Sequence, residues 1–226
     1  MSLQFIFGNS GAGKSHHLYK EVIAESLAHP DTNYIVLVPE QFTMQTQKDL
    51  CMAHPNKGIM NIDVLSFIRL SHRIFEETGR ETKHVLDDEG KNLILRKIAG
   101  QYESELKVLR GNLKKQGYIS EVKSVISEFT QYGIGFDELD EMIDSLGEES
   151  YLSYKLRDIR TVYEGFENYL ADKYITKEEL LDMLSDAVPE SKILKDSVVV
   201  LDGYTGFTPV QNTLLGELLK VCKKVM

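Results

Sequence analysis

One stretch near the start of the chain, Gly8-Asn9-Ser10-Gly11-Ala12-Gly13-Lys14-Ser15, constrains its fold more than any other. It fits G-x-x-x-x-G-K-[ST] at every fixed position. Residues 3–7 before it are short, apolar and strand-like. After it, Leu18, Val22 and residues 24–27 recur near helical spacing until Pro30-Asp31 closes the helix. Each fixed position has a chemical reason. Gly8, Gly11 and Gly13 let the backbone turn with its N–H groups facing inward around phosphate oxygens. The helix opening near Lys14 adds its positive dipole end. Lys14 carries an ammonium to the β- and γ-phosphates, and Ser15 offers a hydroxyl to Mg²⁺. Gly8, Asn9, Ser10, Gly11, Ala12, Gly13, Lys14 and Ser15 are therefore candidate ATP-binding residues. The plainer reading is a glycine-rich turn that caps a helix, and binding does not entail hydrolysis.

Other strand signals surround this unit. Residues 34–38, Tyr-Ile-Val-Leu-Val, form a continuous apolar run stopped by Pro39, the pattern of a strand covered on both faces. Residues 61–65 suggest another strand, and residues 197–201 another, ending at Asp202-Gly203. Helices are expected over 43–52, over 67–77 with Ser66 as N-cap and Gly79 as stop, and from Thr208-Pro209 to Val221. Residues 224–226 are a candidate further strand. Between them, residues 83–191 change texture. Strand-like runs vanish, and segments 88–99, 119–132, 136–146, 152–170 and 176–187 read as charged, amphipathic helices. The expected fold is α/β, a P-loop NTPase-like parallel sheet with helices on both faces and a large all-helical insertion. Residues 1–82 and 192–226 form the nucleotide domain, and 83–191 the insertion. Three or four strands make a small sheet, so the expectation is the N-terminal portion of a longer protein.

Asp202 ends a buried strand where a Walker B carboxylate would hold the hydration shell of Mg²⁺, making Ser15 and Asp202 the candidate metal residues. The alternative is a core strand closed by an Asp-Gly turn. Many hydrolysing ATPases place a glutamate directly after this aspartate to polarise water. Here that position is Gly203, and Tyr204 and Thr205 are poor bases. Glu40-Gln41, after the second strand, can approach the same sheet edge or form a solvated loop. No catalytic residue is assigned.

Composition narrows the partners. The 226 residues hold 26 Lys+Arg against 35 Asp+Glu, a formal charge of -9, so nucleic acid cannot be held by a general basic coat. Cys51 and Cys222 form no zinc or disulfide pattern. No apolar run suits a membrane span and the N-terminus has no basic leader, which together favour a cytoplasmic protein without a membrane partner.

The motifs also resemble a family. Val38-Pro39-Glu40-Gln41-Phe42-Thr43, Val64-Leu65-Ser66-Phe67-Ile68-Arg69-Leu70 and Leu201-Asp202-Gly203-Tyr204-Thr205-Gly206-Phe207-Thr208-Pro209-Val210-Gln211 follow the glycine loop in order. The chain resembles the N-terminal region of AddB (also RexB), the B subunit of bacterial ATP-dependent helicase/deoxyribonuclease, within the UvrD-like helicases of superfamily 1. The second ATPase motif of those helicases runs Asp-Glu-x-Gln-Asp-Thr-x-x-x-Gln. Asp202 and Gln211 match its ends, while Gly203, Thr205 and Gly206 replace the glutamate, first glutamine and second aspartate. The resemblance implies ATP and Mg²⁺ as cofactors, DNA as ligand and a role at double-strand DNA ends in recombinational repair. It implies a heterodimer with an AddA-type subunit carrying the main motor. It implies a nuclease site and an iron–sulfur cluster only in the C-terminal part of such a protein. It also gives Arg69, His72 and Arg73 as candidate contacts to DNA phosphates, with Phe67 for stacking; an amphipathic helix with a basic solvent face explains them equally.

Other features are open. Lys107, Arg110, Lys114 and Lys115 are a second basic cluster, read as a solvated face. His16 and His17 point in different directions on a helix, and Tyr19 is either packing or base-adjacent. A self-contained P-loop kinase, with Arg157 and Arg160 as lid candidates, is the alternative enzyme. A structural interaction domain with a relic pocket is the alternative without activity.

Overall fold

Short apolar runs without polar alternation need cover on both sides, and the sheet they build is parallel throughout. The computed structural model describes residues 2–147, 150–171 and 173–226. Its elements in chain order are β1 (Ser2–Leu3), α1 (Lys14–Ala28), β2 (Tyr34–Leu37), α2 (Thr43–Ala53), β3 (Ile62–Leu65), α3 (Phe67–Thr78), β4 (His84–Val85), α4 (Asp88–Gln101), α5 (Gln116–Tyr132) and α6 (Phe136–Ser145). They continue with α7 (Tyr151–Leu170), β5 (Tyr174–Ile175), α8 (Lys177–Ala187), α9 (Lys192–Lys195), β6 (Val198–Leu201), α10 (Pro209–Val221) and β7 (Lys224–Val225). The chain divides into two compact units.

The first unit is Met1–Thr82, Leu180–Phe207 and Gln211–Met226. It carries a five-stranded sheet in the order β1-β7-β6-β2-β3. Tyr34, Val36 and Val38 face Leu18, Val22 and Ile23 of α1 and Leu50 of α2 in one apolar cluster, joined by Val64, Val198 and Val200. Ile35, Leu37 and Val199 alternate to the other face and are equally buried. The register then fixes the functional edge. Leu37 lies opposite both Leu65 and Leu201, so β2, β3 and β6 end level. The residues that follow them, Pro39-Glu40, Ser66 and Asp202, leave the sheet along one edge, the carboxyl edge where open α/β sheets bind ligands.

Two expectations change here. The strand expected over 3–7 is only Ser2–Leu3, extended by the Gln4 N–H donating to the Val225 carbonyl at 2.9 Å. Its partner β7 offers only two paired residues, so Phe5 and Phe7 lie 68% and 87% exposed with stacked rings. The sheet has five strands rather than three or four because Lys224–Val225 inserts between β1 and β6.

The second unit, Lys83–Glu179 with Thr208–Val210, is mainly helical. Leu95 and Ile98 of α4, Val122 and Ile126 of α5, Leu139 and Ile143 of α6, and Ile159, Val162 and Phe166 of α7 share one core. Helices α4 and α7 approach closely at Gly165, where a Cβ would stand 2.7 Å from Ile98 and 2.8 Å from Tyr102. The buried Asp158 carboxylate on α7 accepts the main-chain N–H groups of Lys107, Val108 and Leu109, fixing the segment after α4. The sequence texture suggests a region free of strands, but β4 and β5 form a two-residue parallel pair, His84 opposite Tyr174 and Val85 opposite Ile175. Strands that short carry no readable period. Among the described residues no helix is long and apolar enough to cross a membrane.

Candidate functional site

The glycine loop turns as its composition dictates. Gly11 and Gly13 hold φ of +76° and +83°, in the left-handed region where a side chain costs about 1–2 kcal/mol. Gly13 is the N-cap of α1, so the helix opens at Lys14 with no acidic residue in its first turn to oppose an anion. The Lys14 ammonium folds over the loop and donates to the carbonyls of Gly8 and Asn9, both at 2.9 Å. Ser10 and Gly11 form the outer turn, and the Ala12 N–H closes it on the Asn9 carbonyl at 3.2 Å.

Ser15, one residue into α1, meets the end of β6. Its hydroxyl donates to Asp202 Oδ1 at 3.0 Å across 187 residues of sequence. The Asp202 main-chain N–H is itself held by the Leu37 carbonyl at 3.0 Å, so the sheet fixes where this carboxylate emerges. A second donor is one whose role the sequence leaves open: the Tyr19 hydroxyl donates to Asp202 Oδ2 at 2.7 Å and meets Thr46 Oγ1 of α2 at 3.4 Å. Burial pushes the Tyr19 phenol well above its ordinary range, so it remains a donor at neutral pH. The Ser15–Tyr19 spacing, one helical turn, is the signal that marks them as one face. Beside them an open cavity of about 460 Å³ is lined by Ser15, His16, Tyr19, Lys20, Asp49 and Met52, among others. A hydroxyl and a carboxylate are hard oxygen donors, the type that suits Mg²⁺, and they stand beside the glycine-rich loop.

Gly203 is more than a missing carboxylate. It holds φ of +79°, and a Cβ there would lie 3.4 Å from Pro39 Cδ and 3.7 Å from Phe42 Cδ2. The chain turns sharply after Asp202, and Tyr204 enters an aromatic cluster with its ring 5.3 Å from Phe67 and 5.1 Å from Phe207. Gln211 occupies the first turn of α10, half-buried.

Two of the three candidate DNA residues on α3 are engaged by acids. Arg69 Nε lies 3.3 Å from Glu40 Oε1, and Arg73 lies 2.6 Å from Asp63 Oδ2, while His72 is exposed. Glu40 also accepts the hydroxyl of Ser66, the N-cap of α3, so it joins the neighbouring strand ends rather than forming a free loop. In the helical unit, Lys114 pairs with Glu103 at 2.8 Å and Lys107 lies over the Tyr154 ring at 4.5 Å. Arg160, a lid candidate for the kinase alternative, is held by Asp140 at 2.5 Å and Glu164 at 2.9 Å.

Fold and site thus define a mixed α/β protein with a parallel sheet, a glycine-rich loop at a helix start and an aspartate brought to that loop. Comparison with known proteins narrows this class. The family described as ADDB, N-terminal, matches residues 5–226, and the chain belongs to that family. It is similar to the B subunit of the ATP-dependent helicase/deoxyribonuclease of Lachnoclostridium phytofermentans, 51% identical over 225 residues that cover 100% of this chain and 20% of that protein. The proteins of the same name from Clostridium kluyveri and Alkaliphilus metalliredigens are each 36% identical, over 97% and 100% of this chain and 19% of each relative. The chain therefore spans about a fifth of the length of the curated relatives it matches.

Proposed function

We propose that this chain is an ATP-binding, helicase-like domain, P-loop NTPase-like in fold, of the B subunit of an ATP-dependent helicase/nuclease, and that its pocket binds nucleotide with little or no turnover. In this reading it works on double-strand DNA ends beside a partner subunit that supplies the motor. The observation that carries the binding is the meeting of Ser15 with Asp202 beside Lys14. The residues divide the work. Main-chain N–H groups of the loop and the start of α1 receive phosphate oxygens. Lys14 exchanges its two loop carbonyls for phosphate charge, and Ser15 and Asp202 hold Mg²⁺, which neutralises charge on the phosphates when bound.

Lack of turnover rests on Gly203. Glycine there supplies no carboxylate, and its left-handed backbone strains any residue that would. The name of the relatives supports the assembly and the DNA substrate. Calorimetric titration with ATP and Mg²⁺ tests the reading: saturable binding is expected, lost in Lys14→Ala. A steady-state assay should find little hydrolysis with or without single-stranded DNA. No binding by the native sequence, or DNA-stimulated turnover abolished by Lys14→Ala, would contradict it.

A further inference from the structure

We propose that Tyr19 is a positioning residue that orients Asp202 for a divalent cation, so that the gain in nucleotide affinity given by Mg²⁺ depends on its hydroxyl. The inference rests on the nucleotide reading above and adds a residue to it.

Each oxygen of Asp202 accepts from a side-chain hydroxyl, Ser15 on Oδ1 at 3.0 Å and Tyr19 on Oδ2 at 2.7 Å. Both donors come from one face of α1, one turn apart, so together they set the carboxylate plane. A carboxylate torsion is otherwise broad and nearly two-fold. The two donors differ in what else they are asked to do. Ser15 stands at the loop and is the hydroxyl that a phosphate-bound cation would also engage. Its bond to Asp202 is therefore shared when a cation is present. Tyr19 stands one turn further along α1 from the loop. Thr46 of α2 also meets its oxygen, at 3.4 Å, and Tyr19 is half-buried. It is the donor that keeps Asp202 aimed while Ser15 is engaged elsewhere. Removing one such hydrogen bond and leaving the ring in place should lower Mg²⁺-dependent affinity about three- to tenfold.

The test is a pair of calorimetric ATP titrations, one with Mg²⁺ and one with EDTA, on the native sequence and on Tyr19→Phe, with melting curves as a check on folding. Expected is a Mg²⁺ increment reduced about three- to tenfold in Tyr19→Phe, with unchanged affinity in EDTA. A role confined to packing would not separate the two conditions. Equal increments in both proteins, or a parallel loss in both conditions, would overturn the proposal and leave the nucleotide reading intact. Absence of ATP binding by the native sequence in either condition would overturn both. Should Tyr19→Phe not fold, Thr46→Val, which loosens the phenol without removing it, takes its place. A smaller loss of the same increment is then expected, and an unchanged increment overturns the proposal.

Discussion

Two aspartates, one in each unit, show how the donors around a carboxylate reveal its use. Asp158 is buried, and among the described residues its side-chain oxygens are met by main-chain N–H groups, those of Lys107, Val108 and Leu109, at 2.7–3.1 Å. Those donors cannot turn away without unwinding the segment, so this carboxylate is committed to the fold. Asp202 is half-buried, and its side-chain oxygens are met by the hydroxyls of Ser15 and Tyr19. Hydroxyls rotate and also carry lone pairs, so they can re-aim toward an incoming ligand. The same residue type is tied to the main chain in the helical unit and rests on rotatable hydroxyls at the sheet edge, where we propose that it serves a cation.

Breaking the main-chain tie should have the largest effect. Asp158→Ala orphans three main-chain donors, that of Leu109 buried and those of Lys107 and Val108 part-buried, and should cost about 3 kcal/mol of stability, read by urea unfolding. A loss below about 1 kcal/mol would mean water replaces the carboxylate and the contrast is false. At the sheet edge the effect should appear in binding instead. Lys14→Ala should weaken ATP about tenfold to hundredfold, since charge-assisted contacts are lost. Its stability should stay within about 0.5 kcal/mol, because the loop bonds of Lys14 are exposed. Gly203→Ala should cost about 1–2 kcal/mol in the melting curve through its positive φ. Gly203→Glu should destabilise similarly and gain no hydrolysis. Turnover in that variant would show that only the side chain was missing.

The smallest effect concerns pH in the helical unit. Burial, with Glu179 nearby, raises the Glu167 carboxyl from 4.5 to about 7. A carboxyl whose folded pKa is raised stabilises the fold fully below its unfolded value, and that contribution is lost as pH climbs through about 7. Stability should therefore fall between about pH 4.5 and about pH 7, on the order of 1 kcal/mol after solvent screening. Glu167→Gln should flatten this slope, measured by unfolding at the two pH values.

Much of the sheet edge was legible in sequence. The continuous runs at 34–38 and 197–201 need cover on both faces, and the structure gives β2 and β6 as buried neighbours. The motif order also carried the family. What the sequence hid is geometry. Asp-Gly after a strand reads as a turn or as a lost glutamate, but not as a left-handed residue against Pro39 and Phe42. Tyr19 reads as undecided because its partner is 183 residues away. Asp158 passes as one charge among many on α7, because its donors come from an irregular segment without periodicity. The apolar texture of residues 3–7 overstated β1, since composition does not reveal how far a partner strand reaches.

The contrast between the two carboxylates is tested most directly by carbon-13 NMR of the aspartate side-chain carboxyls during a titration with ATP and Mg²⁺. The Asp202 resonance should shift with a saturable curve, because its hydroxyl donors re-aim and a cation enters its field. The Asp158 resonance should stay in place, held by three main-chain donors. An Asp202 signal that does not move at saturating nucleotide, or an Asp158 signal that moves as far, would contradict the account.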